Sequence, residues 1–169
     1  DAGRQASGPV EHDREGLVGR AVVHGGIGGA AHGDVADRGD PIRAAEHFQE
    51  LRNAVASDTL LVTLAPERAG AIEAIRAAAS LGIHVSLGHS NASAEVLSEA
   101  IAAGASGFTH LANGCPRELD RHDNILWRVI DTPGLFVGLI PDRIHVSPML
   151  FRLALRLLGP ERIWYTTDA

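Results

Sequence analysis

The chain has 169 residues, 45% hydrophobic and 21% charged, with a mean hydropathy of +0.03, a balance that excludes a disordered tail and fits one globular domain. A formal net charge of -6 without any run of basic residues excludes nucleic acid and anionic membranes as partners, because neither would meet enough positive charge. The lone cysteine, Cys115, has no internal disulfide partner, no apolar stretch approaches the roughly 20 residues that span a bilayer, and all fifteen cationic residues are arginine, which excludes Schiff-base and carbamylated-lysine chemistry.

Residues 1 to about 40 hold ten of the nineteen glycines and no clear periodicity, and read as an irregular remnant ahead of a regular region over 41–169. Asp40 and Pro41 form a cap and first-turn pair. They open a predicted helix to about Ser57 with Ile42, Ala45, Phe48, Leu51 and Val55 inward. The apolar run 60–64 is short and continuous, as in a strand buried on both faces. A helix over 71–81 with Ile72, Ile75 and Ala79 inward leads to a strand over 83–87, and a helix over 93–103 to a strand over 107–111. A helix over 124–130 precedes a strand over 135–140. The last helix is capped by Ser147, has Pro148 at its first position, turns Leu150, Leu153, Ala154, Leu157 and Leu158 inward, and stops at Gly159. A fifth strand covers 163–166.

Strands separated by single helices imply successive βαβ units and a parallel sheet. No Gly-x-Gly-x-x-Gly opens a helix, which argues against dinucleotide binding. Eight strands and about 250 residues make a complete barrel. The expected fold is therefore α/β, an incomplete (β/α)8 TIM-type barrel of about the last five strands. The opening at Asp1, with Met149 the only methionine, agrees with a partial sequence, and the composition with a cytoplasmic protein lacking a targeting segment.

Each predicted strand ends on a polar group: Glu67, His89, His110, Asp142 with His145, and Asp168. In a parallel barrel these ends share the face where catalytic groups sit. Alone, any one of them fits a hydrogen-bonded loop residue, and Glu67 also fits a cap on the next helix; five at consecutive strand ends point to a site. Imidazoles at adjacent ends suit a divalent metal, zinc first, with iron, cobalt or manganese as alternatives. An aspartate beside them suits general acid/base work on an activated water. Arg117, Arg121, His122, Asp123 and Asn124 read as a solvated loop that could also meet an anion.

Thr63-Leu64-Ala65-Pro66-Glu67, Ser86-Leu87-Gly88-His89-Ser90-Asn91-Ala92, Thr109-His110-Leu111-Ala112-Asn113, Asp142-Arg143-Ile144-His145-Val146 and Thr167-Asp168-Ala169 resemble, in order, motifs of the N-acetylglucosamine-6-phosphate deacetylase family of amidohydrolases. The resemblance implies metal-dependent removal of acetate from an N-acetylated amino sugar, foremost N-acetylglucosamine 6-phosphate. It implies His89 and His110 as metal ligands, Asp168 as the catalytic acid/base, and Asn113, the backbone of Gly114 and His145 as substrate contacts. It also implies a small-molecule amino-sugar partner and a homodimer for the full-length protein. The family's metal-binding glutamate lies in a His-Leu-Glu-Gly-Pro motif that this sequence lacks, leaving Glu67 as the candidate substitute. The family's Arg-Glu-Pro-Gly stretch after the asparagine is replaced, so Arg117 or Arg121 would have to meet a sugar phosphate. The alternatives are an amidohydrolase for another acylamine or a cyclic amide, and a barrel fragment without catalysis.

Overall fold

The computed structural model describes residues 41–54 and 59–167. The glycine-rich stretch over 1–40, the Asp40 cap and Asp168 lie outside the described residues. The elements are α1 (Pro41–Ala54), β1 (Leu61–Leu64), α2 (Ala71–Ser80), β2 (His84–Leu87), α3 (Ala94–Ala102), β3 (Ala105–Phe108), α4 (Ile125–Asp131), β4 (Phe136–Leu139), α5 (Pro148–Leu158) and β5 (Ile163–Tyr165), with one turn of 3-10 helix at Pro160–Arg162.

The five strands form one parallel sheet in the order β1-β2-β3-β4-β5. Strand order separates two α/β architectures. A doubly wound sheet reverses direction at a switch point and carries helices on both faces. A strictly sequential order with right-handed crossovers keeps every helix on one side, as in a barrel wall. The sequential order matches the second pattern, so the fold is five consecutive strands of a TIM-type barrel with their intervening helices.

Alternation along the strands divides the two faces. Val62 and Leu64 of β1, Val85 and Leu87 of β2 and Phe108 of β3 join helix residues such as Ile75, Leu97 and Val129 in one buried cluster. The opposite face carries hydroxyls at register-matched Thr63 and Ser86, both buried. Thr63 and Thr109 share a hydrogen bond of 2.9 Å, and Thr109 Oγ1 donates to Ser86 Oγ at 2.7 Å. The chain of hydroxyls satisfies three polar groups that burial would otherwise penalise.

Several packing expectations are corrected. The buried stripe of α2 is Ala71, Ala74, Ile75 and Ala78, while Ile72 and Ala79 sit at its margin. Ile75 is buried as expected, and the small Ala71, Ala74 and Ala78 beside it let the helix lie close. Among the described side chains of α1, Ala44 and Phe48 are buried and Ala45 is only half-buried, while the Ile42 and Val55 side chains and the expected end at Ser57 lie outside what is described. In α5 only Ala154 and Leu158 are buried, whereas Leu157 is 57% exposed. Strand β3 starts at Ala105 and stops at Phe108, earlier than the 107–111 expected, because His110 takes a positive φ that leaves extended geometry. No helix among the described residues is long and apolar enough to cross a membrane.

Candidate active site

The site lies where β2 and β3 run out. Gly88 N donates to Leu64 O at 3.0 Å and Thr109 N to Leu87 O at 2.7 Å, extending both ladders by one rung. The next residue in each strand is a histidine in the left-handed region, His89 at φ 52° and His110 at φ 37°. Non-glycine residues in that region are uncommon and cluster at functional sites, where the surrounding structure must hold them. The turn out of extended geometry directs both imidazoles toward each other. Their Nε2 atoms are 3.0 Å apart, with ring centroids 4.7 Å apart and planes at 67°. His110 is buried at 3% exposure, while His89 is exposed.

Two nitrogen ligands at about 2.0–2.1 Å from one metal, at 90–110°, stand roughly 2.9–3.4 Å apart. The observed pair falls in that range, so it fits one edge of a coordination polyhedron. Among the described residues no group of three or more His, Cys, Asp and Glu forms a metal cluster. Glu67 belongs to no such group; its Oε2 accepts from Ser90 Oγ at 2.7 Å and its Oε1 from Asn91 N at 3.0 Å. Nor does it cap α2, whose N-cap is Gly70 with no side-chain bond.

The loop after β3 supplies the next two candidates. Asn113 N donates to His110 O at 2.9 Å and Asn113 Nδ2 to the same oxygen at 3.2 Å, so the asparagine is folded back onto the histidine's own backbone. Gly114 takes φ +67°, and a Cβ there would lie 2.9 Å from both Cγ and Nδ1 of His89. The backbone therefore closes directly against the imidazole, a position that only glycine fills without strain. Leu111 N donates to Gly138 O at 2.9 Å, tying this loop to β4. Cys115 sits in the same loop with Sγ 3.6 Å from Ala112 O.

His145 stands beyond β4, paired with Asp142. Asp142 Oδ1 accepts from the backbone N of Ile144 and of His145, each at 2.8 Å, and Oδ2 accepts from His145 Nδ1 at 2.6 Å. The backbone N–H of His145, then its ring N–H, holds the Asp142 carboxyl down at about 2. A carboxylate accepts only, so a ring proton sits on Nδ1, and Nε2 takes no part in the pairing.

The loop is solvated at Arg117, Arg121, His122 and Asp123 and buried at Asn124. Asn124 caps α4, its Oδ1 accepting from Leu126 N at 3.0 Å and Trp127 N at 3.3 Å. Asp123 pairs with Arg128 at 2.6 Å, which lowers the acid and raises the base. Arg128 Nη1 also donates to Ala92 O at 2.8 Å, fastening α4 to the loop after β2. Arg117 and Arg121 are exposed. Neither the Glu67–Ser90 contact nor the Arg128–Ala92 contact was legible from spacing, since each joins segments 23 or more residues apart.

No protein-family model matches the chain. It is 41% identical over 109 residues to an N-acetylgalactosamine-6-phosphate deacetylase from Shewanella sp. (strain ANA-3), covering 64% of this chain and 27% of that protein. It is 38% identical over 126 residues to an N-acetylglucosamine-6-phosphate deacetylase from Vibrio furnissii, covering 75% and 31%. In three dimensions it is similar to the N-acetyl-D-glucosamine-6-phosphate deacetylase of Mycobacterium smegmatis, with a TM-score of 0.66 at 33% identity over 77% of this chain and 36% of that one. The chain thus spans about a third or less of the length of the curated relatives it matches. In sequence and in fold alike, the chain resembles part of the N-acetylglucosamine-6-phosphate deacetylases.

Proposed function

We propose that the chain is part of a metal-dependent hydrolase that removes acetate from an N-acetylated amino-sugar phosphate, with N-acetylglucosamine 6-phosphate as the leading substrate. The observation that carries the reading is the 3.0 Å approach of the His89 and His110 Nε2 atoms at adjacent strand ends. Those two nitrogens would hold the divalent ion, zinc first, with further ligands drawn from outside the described residues. A divalent ion at such a site supplies Lewis acidity and brings the pKa of water toward neutrality.

The remaining chemistry belongs to side chains. Asp168, three residues past β5, takes a proton from the attacking water and returns it to the amide nitrogen. Water adds to the acetamide carbonyl carbon, the C–N bond breaks, and acetate and the free amine leave. Asn113, the backbone N–H of Gly114 and His145 Nε2 orient the sugar. Arg117 and Arg121, exposed on the loop between β3 and α4, are the candidates for meeting the phosphate. The protein works in the cytoplasm as a homodimer.

A second reading follows from the Shewanella relative, whose name specifies the galactosamine epimer. The test is acetate release by the complete gene product from N-acetylglucosamine 6-phosphate, N-acetylgalactosamine 6-phosphate and unphosphorylated N-acetylglucosamine, before and after chelation. Turnover of a phosphorylated sugar that chelation abolishes and zinc restores is expected. Equal rates with and without the phosphate reject the arginine loop as its site. No turnover of any acetylated sugar rejects the hydrolase in favour of a barrel without catalysis.

A further inference from the structure

We propose that Glu67 is a positioning residue: bridging from the end of β1 to Ser90 and Asn91, it clamps the loop after β2 and so fixes the ring of His89 opposite His110. The inference rests on the reading of His89 as a metal ligand and adds what holds that ligand in place.

A histidine at φ 52° keeps that conformation only when its flanks are fixed. On the N-terminal side the fixing is done by the β-ladder, through Gly88 N and Leu64 O. On the C-terminal side the chain has left the sheet, and three bonds replace the ladder. Ser90 Oγ donates to Glu67 Oε2 at 2.7 Å, Asn91 N donates to Glu67 Oε1 at 3.0 Å, and Ala92 N donates to Ser90 Oγ at 3.0 Å. Ser90 is 2% exposed, so its hydroxyl depends on these partners rather than on water. Charged acceptors make the stronger hydrogen bonds, and both carboxylate oxygens are used. The carboxylate thus acts one residue away from the imidazole, as outer partners of metal ligands do.

The test uses the complete gene product, stripped of metal and titrated with Co²⁺ by absorbance, together with amide hydrogen exchange at Asn91 and Ala92. Glu67→Ala is expected to weaken Co²⁺ binding about 10–100-fold, the usual loss for an outer-shell partner, and to abolish protection of both amides. Glu67→Gln keeps an acceptor for Asn91 N–H and gains a donor toward Ser90 Oγ, so it should restore most of both. Ser90→Ala should fall between, and the double Glu67→Ala/Ser90→Ala variant should be no weaker than Glu67→Ala. Undiminished Co²⁺ affinity in Glu67→Ala overturns the proposal, as do additive losses in the double variant. Equal losses in Gln and Ala variants also overturn it, since they make the charge itself the ligand. If His89→Asn leaves Co²⁺ binding intact, the ligand reading fails; amide exchange then decides the clamp, and unchanged protection in Glu67→Ala rejects it.

Discussion

At the scale of single residues, the polar groups around the sheet's carboxyl edge fall into those that face a ligand and those that hold others still. Asp142 belongs to the second kind. Three N–H groups hold its carboxyl at about 2, below the ordinary 3.8. A depressed carboxyl favours the folded arrangement above the ordinary value and loses that contribution as pH falls through the depressed one. The anchored His145 ring should therefore persist at and above pH 3.8 and come loose as pH falls through about 2. Contacts between the ring protons and the Ile144 backbone, followed by NMR across that range, check it; release already at neutral pH would contradict the pairing. His89 and His110 were legible because each stands two residues past its strand's last apolar residue, Leu87 and Phe108. Their partners were not, because Glu67 to Ser90 and Arg128 to Ala92 are contacts that only packing creates.

At the scale of elements, boundaries follow local chemistry closely. Ser93, Asn124 and Ser147 each accept a hydrogen bond from a first-turn N–H, and α3, α4 and α5 begin immediately after them. Asn124 is 5% exposed, and its Nδ2 also donates to Asp120 O at 2.7 Å, so it joins the loop to the helix. Asn124→Ala is expected to destabilise the fold by about 1–2 kcal/mol. The urea midpoint should fall with an unchanged slope. A shift indistinguishable from zero would mean that the cap carries no stability. The inward faces were less legible than the ends. Apolar spacing in α2 indicated Ile72, Ile75 and Ala79; Ile75 is buried, but its buried neighbours are Ala71, Ala74 and Ala78, small enough to let the helix lie close to the sheet.

At the scale of the whole molecule, sequential strand order leaves β1 and β5 with one neighbour each among the described residues. Such edges present unpaired backbone groups. Beside them, Ile144, Met149, Leu157 and Tyr165 are each more than half exposed. Apolar surface of this kind favours association. The isolated 169-residue chain is expected to self-associate as its concentration rises, measured by light scattering or sedimentation velocity. A monodisperse monomer at high concentration would contradict an open half-barrel.

The sequence by itself determined the alternation of helix and strand, the Ser147 cap, and the histidines waiting at two strand ends. All of these depend on neighbours within about one turn or one rung, where composition and spacing act directly. Only the tertiary structure decided that the sheet runs in unbroken order, that the two imidazoles meet at 3.0 Å, and that Glu67 bonds to the loop after β2. Those depend on which surfaces meet once strands align, and burial across the sheet is a property of no single segment.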